Sequence, residues 1–124
     1  MKKGVFLALL FACATTASAP ARMQSAAVKV AFNKQLKAKI IVAANGMTLY
    51  AGRAACGKDC ARFWKVLVAN GRPSPGPGAK ASLLATRKRP DGIVQVTYAG
   101  HALYLFRRDR KPGDVRGVAF QAGW

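Results

Sequence analysis

Ile93-Val94-Gln95-Val96-Thr97-Tyr98-Ala99-Gly100-His101-Ala102-Leu103-Tyr104-Leu105-Phe106 is the stretch whose reading decides the fold. Its first six residues are β-branched or aromatic apart from Gln95, the composition that suits a pleated, half-buried surface. Arg89-Pro90-Asp91-Gly92 precedes it as a turn, with Pro and Gly at positions that favour one. Ala99-Gly100 turns the chain again, and His101 to Phe106 returns. The stretch therefore predicts a hairpin, strand 93–98 followed by strand 101–106.

Working outward, the hairpin has an echo. Val42-Ala43-Ala44-Asn45-Gly46-Met47-Thr48-Leu49-Tyr50 aligns with Val96 to Tyr104 at a constant offset of 54 residues, and Val, Gly, Leu and Tyr coincide. Asn45-Gly46 is a strong short-range hairpin signal. A single half could not bury its apolar face, so two related strand-turn-strand half-units are expected to share one core. Val28 to Phe32 alternates and reads as an edge strand; Leu36 to Val42 continues that pattern into a β-branched run, and Met47 to Tyr50 reads as the strand returning from the Asn45-Gly46 turn. Gly71 to Gly78 holds three prolines and three glycines and reads as a loop, unfit for a ladder or a helix. Leu83-Leu84 begins another short element. Asp59 is placed to cap a short helix over Ala61 to Leu67, with Phe63, Trp64 and Leu67 on one apolar face. The expected fold class is mainly β (α+β): one small domain, 28–124, of two half-units, with one short helix after a Cys-x3-Cys loop. Arg107 to Gly117 reads as a polar loop, and Phe120 and Trp124 as late anchors packing inward.

Tyr104, Phe106 and Asp109 stand at fixed spacing within Tyr104-Leu105-Phe106-Arg107-Arg108-Asp109. Around them lie Asp91-Gly92, Gln95 to Tyr98, Gly100 to Tyr104, Pro112-Gly113-Asp114 and a closing Trp124. In these features the chain resembles a family of secreted repeats or predicted lipoproteins marked by a Yx(FWY)xxD motif. The likeness extends to Gly46-Met47-Thr48-Leu49-Tyr50 and to the Cys56, Cys60, Trp64 array. It implies an exported protein of this architecture; the family carries no established activity. The first half departs from the pattern: Tyr50 is followed by Ala51-Gly52-Arg53-Ala54-Ala55, without the second aromatic or the Asp, and Trp64 by Lys65-Val66 rather than Pro-Pro.

The beginning of the chain has the three-part build of a signal peptide: Lys2 and Lys3, an apolar run from Gly4 to Ala14, then small residues to Ala21. Residues 1–21 are expected to be removed and 22–27 to be a lead-in. The apolar run is shorter than the roughly 20 residues a membrane-spanning helix requires. Cleavage at Ala19-Pro20-Ala21 would release the domain to the periplasm or beyond. Leu10-Phe11-Ala12-Cys13 resembles a lipobox and offers the alternative of a lipid anchor on Cys13. The chain has 21 Lys plus Arg against four acids, all Asp, and a net charge of +17. Loss of Lys2 and Lys3 lowers it to +15. Such a field attracts anionic polymers and surfaces in a salt-dependent way. Export turns this towards lipid headgroups and lipopolysaccharide, or a protein partner, and away from nucleic acid. The basic loops expected to make contact are Arg87-Lys88-Arg89 and Arg107, Arg108, Arg110 and Lys111. In an oxidising compartment Cys56 and Cys60 read as a structural disulfide closing a short loop.

No cofactor, metal site or enzyme is expected from these residues. The four serines lack a nucleophile elbow, Glu is absent, and Pro77 removes an amide that a phosphate loop would need. Tyr104 and Phe106, two apart, share a strand face, and Asp109 just beyond can order the following loop by accepting backbone N–H bonds. His101 is a possible ligand. A metal or redox accessory role built on His101, Tyr104 and Asp109 is therefore the alternative to a non-enzymatic binding or structural module.

Overall fold

The structure, a computed structural model, describes residues 27–52 and 60–120. Residues 1–26, Cys56, Asp59 and Trp124 lie outside the described residues, and with them the expectations on a signal peptide and its cleavage, on the full disulfide and on the last anchor. The rest is strand-dominated, with no helix of seven residues or more, as the composition predicts.

Among the described residues, eight strands make two sheets. The first has the order β2 (Ala38–Ala43), β1 (Ala27–Asn33), β5 (Ser74–Pro75). The second runs β3 (Tyr50–Gly52), β8 (His101–Phe106), β7 (Val94–Tyr98), β6 (Leu84–Lys88), with β4 (Trp64–Val66) also on β8. The hairpin read from the sequence is β7 and β8, joined by Ala99 and Gly100, both at positive φ (53° and 82°), the signature of a two-residue I′ turn. The Asn45-Gly46 hairpin closes differently. Gly46 N–H donates to the Ala43 carbonyl and Ala43 N–H to the Met47 carbonyl, both at 2.8 Å, and only Gly46 has a positive φ (88°). It is a three-residue loop ending in a glycine bulge.

Three expectations are corrected. β1 is the middle strand of its sheet, not an edge, because the Pro/Gly segment pairs with it in parallel at Ala27–Ser74 and Val28–Pro75. That segment does hold a short ladder: Gly76 N–H donates to the Val28 carbonyl (2.7 Å) and Val30 N–H to the Pro77 carbonyl (2.9 Å). Pro75 costs nothing at the sheet edge, where a missing N–H faces outward. A Cβ on Gly76 would stand 2.7 Å from Lys29 Cβ, so glycine is what permits the approach. Finally, the helix after the cysteines is only a 3-10 turn, Cys60–Arg62, and Trp64 begins a strand.

The reason lies in the β7–β8 hairpin, which pairs only at Thr97–Ala102 and Tyr98–His101. Beyond that the two strands part and the chain after Trp64 enters the gap. Leu67 N–H donates to the Leu103 carbonyl (3.1 Å) while its own carbonyl accepts from Val96 N–H (2.9 Å). Ladder bonds from both sides therefore override the helical spacing of Phe63, Trp64 and Leu67. β8 is consequently flanked on both edges and buried on both faces. One face carries Tyr50, Trp64, Ala102, Tyr104 and Phe106. The other gathers Leu49, Val96 and Leu103 with Val28 of the first sheet.

The repeat is legible in the pairing. Strands β1, β2 and β3 follow one another as β6, β7 and β8 do. Tyr50, the counterpart of Tyr104 by the 54-residue offset, pairs with Tyr104 itself. An antiparallel pair of equivalent residues is what a local two-fold axis between the half-units requires.

Candidate functional site

The motif spacing has a local cause. Tyr104 and Phe106 lie on one face of β8 by the period of two. Asp109 N–H then donates to the Phe106 carbonyl at 3.1 Å. This turn brings the carboxylate back beneath the same face. There it meets the first half-unit: Tyr50 Oη donates to Asp109 Oδ2 at 2.7 Å, and Gly117 N–H donates to Tyr50 Oη at 3.1 Å. Arg116 N–H donates to Asp109 Oδ1 at 2.9 Å. Asp109 is 8 % exposed and Tyr50 3 %. Burial first, then the hydrogen bond to Asp109, hold the Tyr50 phenol well above its ordinary value, so it stays protonated. The arrangement orders the 107–117 loop, as Asp109 was expected to do, and ties it to β3.

The surrounding aromatics close this region. Tyr50 meets Trp64 edge-on at 5.1 Å, and Phe106 lies 4.8 Å from Trp64 and 5.0 Å from Phe120. Phe120 is thus an anchor, though its outer edge is exposed. A Cβ on Gly117 would fall 2.8 Å from Tyr50 Cζ and 2.9 Å from Trp64 Cη2, so only glycine lets the loop pass this close.

The other candidate residues scatter. His101 is exposed at the first position of β8, while Asp109 follows its far end and is buried against Tyr50. His101, Tyr104 and Asp109 do not converge. Among the described residues there is no group of three His, Cys, Asp or Glu able to hold a metal ion. Cys60 opens the 3-10 turn, with Cys56 outside the described residues.

Of the basic residues, Arg87, Lys88, Arg107, Arg108, Arg110 and Lys111 are exposed. Arg89 is drawn in, its side chain 14 % exposed and paired with Asp91 at 3.2 Å. Arg108 lays its guanidinium over the rings of Phe63 (5.2 Å) and Phe120 (5.6 Å). The three described acids turn to the backbone. Asp91 accepts from Ile93 N–H (3.0 Å), Asp114 from Arg110 and Lys111 N–H (2.8 and 3.2 Å), and Asp109 as above. These bonds hold the Asp91 and Asp114 carboxyls below their ordinary value.

Sequence reading missed Tyr50 as the partner of Asp109. The signal was present: the offset that matches Tyr50 to Tyr104 also places them across a shared axis.

No curated protein and no solved structure matches the chain. A family model does match residues 85–124, a stretch that holds β7, β8, Tyr104, Phe106 and Asp109. Among the described residues no helix is long and apolar enough to cross a membrane. Over residues 85–124 the chain is similar to a secreted repeat of unknown function, which points to an exported protein.

Proposed function

We propose that this is a non-enzymatic module of the cell envelope that associates with anionic surface components. The observation that carries the reading is the fate of the acids. The chain has four Asp against 21 basic residues. The three described ones accept from backbone N–H groups, and their ion pairs engage only Arg89 and Arg116, so the exposed Arg87, Lys88, Arg107, Arg110 and Lys111 have no ion-pair partner among the described residues and face an external one. Around the closed aromatic cluster the chemistry is that of a fastening. A phenol held neutral and a carboxylate that accepts from Tyr50 Oη and Arg116 N–H leave little scope for proton transfer near neutral pH.

In this reading the mature domain occupies the periplasm or is released, with lipid attachment through Cys13 as the other mode of export. Cys56 and Cys60 form a structural bridge, as that compartment favours. The test is co-sedimentation of the mature chain with vesicles containing phosphatidylglycerol and, separately, with lipopolysaccharide, across a salt series. Binding at low ionic strength that weakens steeply as salt rises is expected. No binding to either at low ionic strength would overturn the proposal.

A further inference from the structure

The most exposed large apolar side chain among the described residues is Phe32, at 63 %. It stands at the end of β1, two positions beyond Val30 and four beyond the fully buried Val28, on the same face. The face that fills the core thus continues past the core and ends in open solvent. Leu36, 38 % exposed, follows in the connection between β1 and β2. This tip is fixed. Leu36 N–H donates to Asn33 Oδ1 at 2.8 Å, and the buried Asn33 donates through Nδ2 to the Gly113 carbonyl at 3.1 Å. Lys37 holds a left-handed φ of 54°. The backbone of the tip is thus tied at Asn33 and Leu36, and it carries Phe32 and Leu36 exposed to solvent.

The charges around it have one sign. Lys39 is the direct cross-strand partner of Phe32, and Lys34 and Lys37 flank Leu36 on the tip. Between residues 27 and 52 there are four lysines and no acid. Two copies of so basic a chain repel, which argues against a second copy on this tip. Apolar side chains ringed by lysines match a surface that offers hydrocarbon beneath negative charge.

We propose that the β1–β2 tip is a membrane-docking surface, Phe32 and Leu36 entering the headgroup boundary of an anionic phospholipid bilayer while Lys34, Lys37 and Lys39 hold its phosphates. The proposal rests on the anionic-surface reading above and names the part of the molecule that meets the surface. Behind the tip a cleft of about 340 Å³, bounded by Leu36, Ile40, Ala51 and Val118, continues the apolar ground.

The experiment uses the mature chain with vesicles of phosphatidylcholine, with and without phosphatidylglycerol. Phe32→Trp is expected to shift its added fluorescence to the blue, and to be quenched by brominated acyl chains, only with the anionic vesicles. Phe32→Ser is expected to weaken binding about tenfold. The triple change Lys34→Gln, Lys37→Gln and Lys39→Gln should weaken it by more than that. Arg87→Gln with Lys88→Gln, a control away from the tip, should cost less than the triple change. If wild type binds these vesicles while Phe32→Trp gives neither shift nor quenching, or binds lipopolysaccharide alone, the tip proposal is overturned and the broader function stands. A concentration-dependent blue shift without vesicles also overturns it, assigning the tip to self-association. No binding to any anionic surface removes the broader function first.

Discussion

Tyr50 and Asp109 show how one pair of atoms joins the two half-units. Replacing Tyr50 with Phe keeps the ring but leaves the buried Asp109 carboxylate and Gly117 N–H each short of a partner. The expected cost is about 2 kcal/mol, dominated by the desolvated carboxylate, read as a lower midpoint in urea unfolding with an unchanged slope. The same bond sets a limit in alkali. The phenol's value is raised on folding, so the stability it contributes is intact below the unfolded value of 10.0 and is lost as pH climbs above it. Wild type should therefore lose its advantage over Tyr50→Phe above about pH 10. Equal alkaline slopes for the two proteins would show that folding does not raise the phenol's value. Asp91 and Asp114 act oppositely: their lowered values lend stability above the ordinary 3.8 that disappears as pH falls below it.

At the scale of elements, the strands most legible in the sequence are those whose pattern and pairing agree locally. β7 and β8 alternate or run β-branched, and a two-residue turn sets their register, so their ends fall within one residue of the reading. β4 is different. Phe63, Trp64 and Leu67 fit a helix when read alone, and what decides against it is a gap between two strands that close more than 25 positions later. β5 was illegible for the same reason, its only ladder partner being β1 far upstream. The turn itself carries a small local strain. Ala99 sits at φ 53°, where a Cβ crowds the carbonyl. Ala99→Asn, which tolerates that region and is favoured in I′ turns, is expected to stabilise by about 0.5–1 kcal/mol. It would be seen as a raised melting temperature in calorimetry. A fall instead would mean that the exposed methyl contributes packing that the geometry does not reveal.

At the scale of the whole molecule, the candidate site was half legible: Tyr104, Phe106 and Asp109 stand in one short motif, but Tyr50 reaches them across 59 residues of chain. The two half-units are not two domains. Residues 85–124 match a repeat by themselves, yet in the fold the strand they contribute, β8, is hemmed by β3 and β4 of the earlier chain at Tyr50–Tyr104 and Trp64–Phe106. Cutting at the Pro/Gly segment would strip both partners from β8 and expose Tyr104 and Phe106, two of the largest fully buried side chains. Each such side chain is worth about 1.5–3 kcal/mol when buried, a large share of the net stability of a small domain. A fragment spanning 70–124 is therefore expected to lack a cooperative thermal transition in circular dichroism, while 27–124 melts cooperatively. If the short fragment also melted in one sharp step, the repeat would be a folding unit in its own right. The two-fold pairing through Tyr50 and Tyr104 would then be an assembly contact between finished halves rather than the event that completes the core.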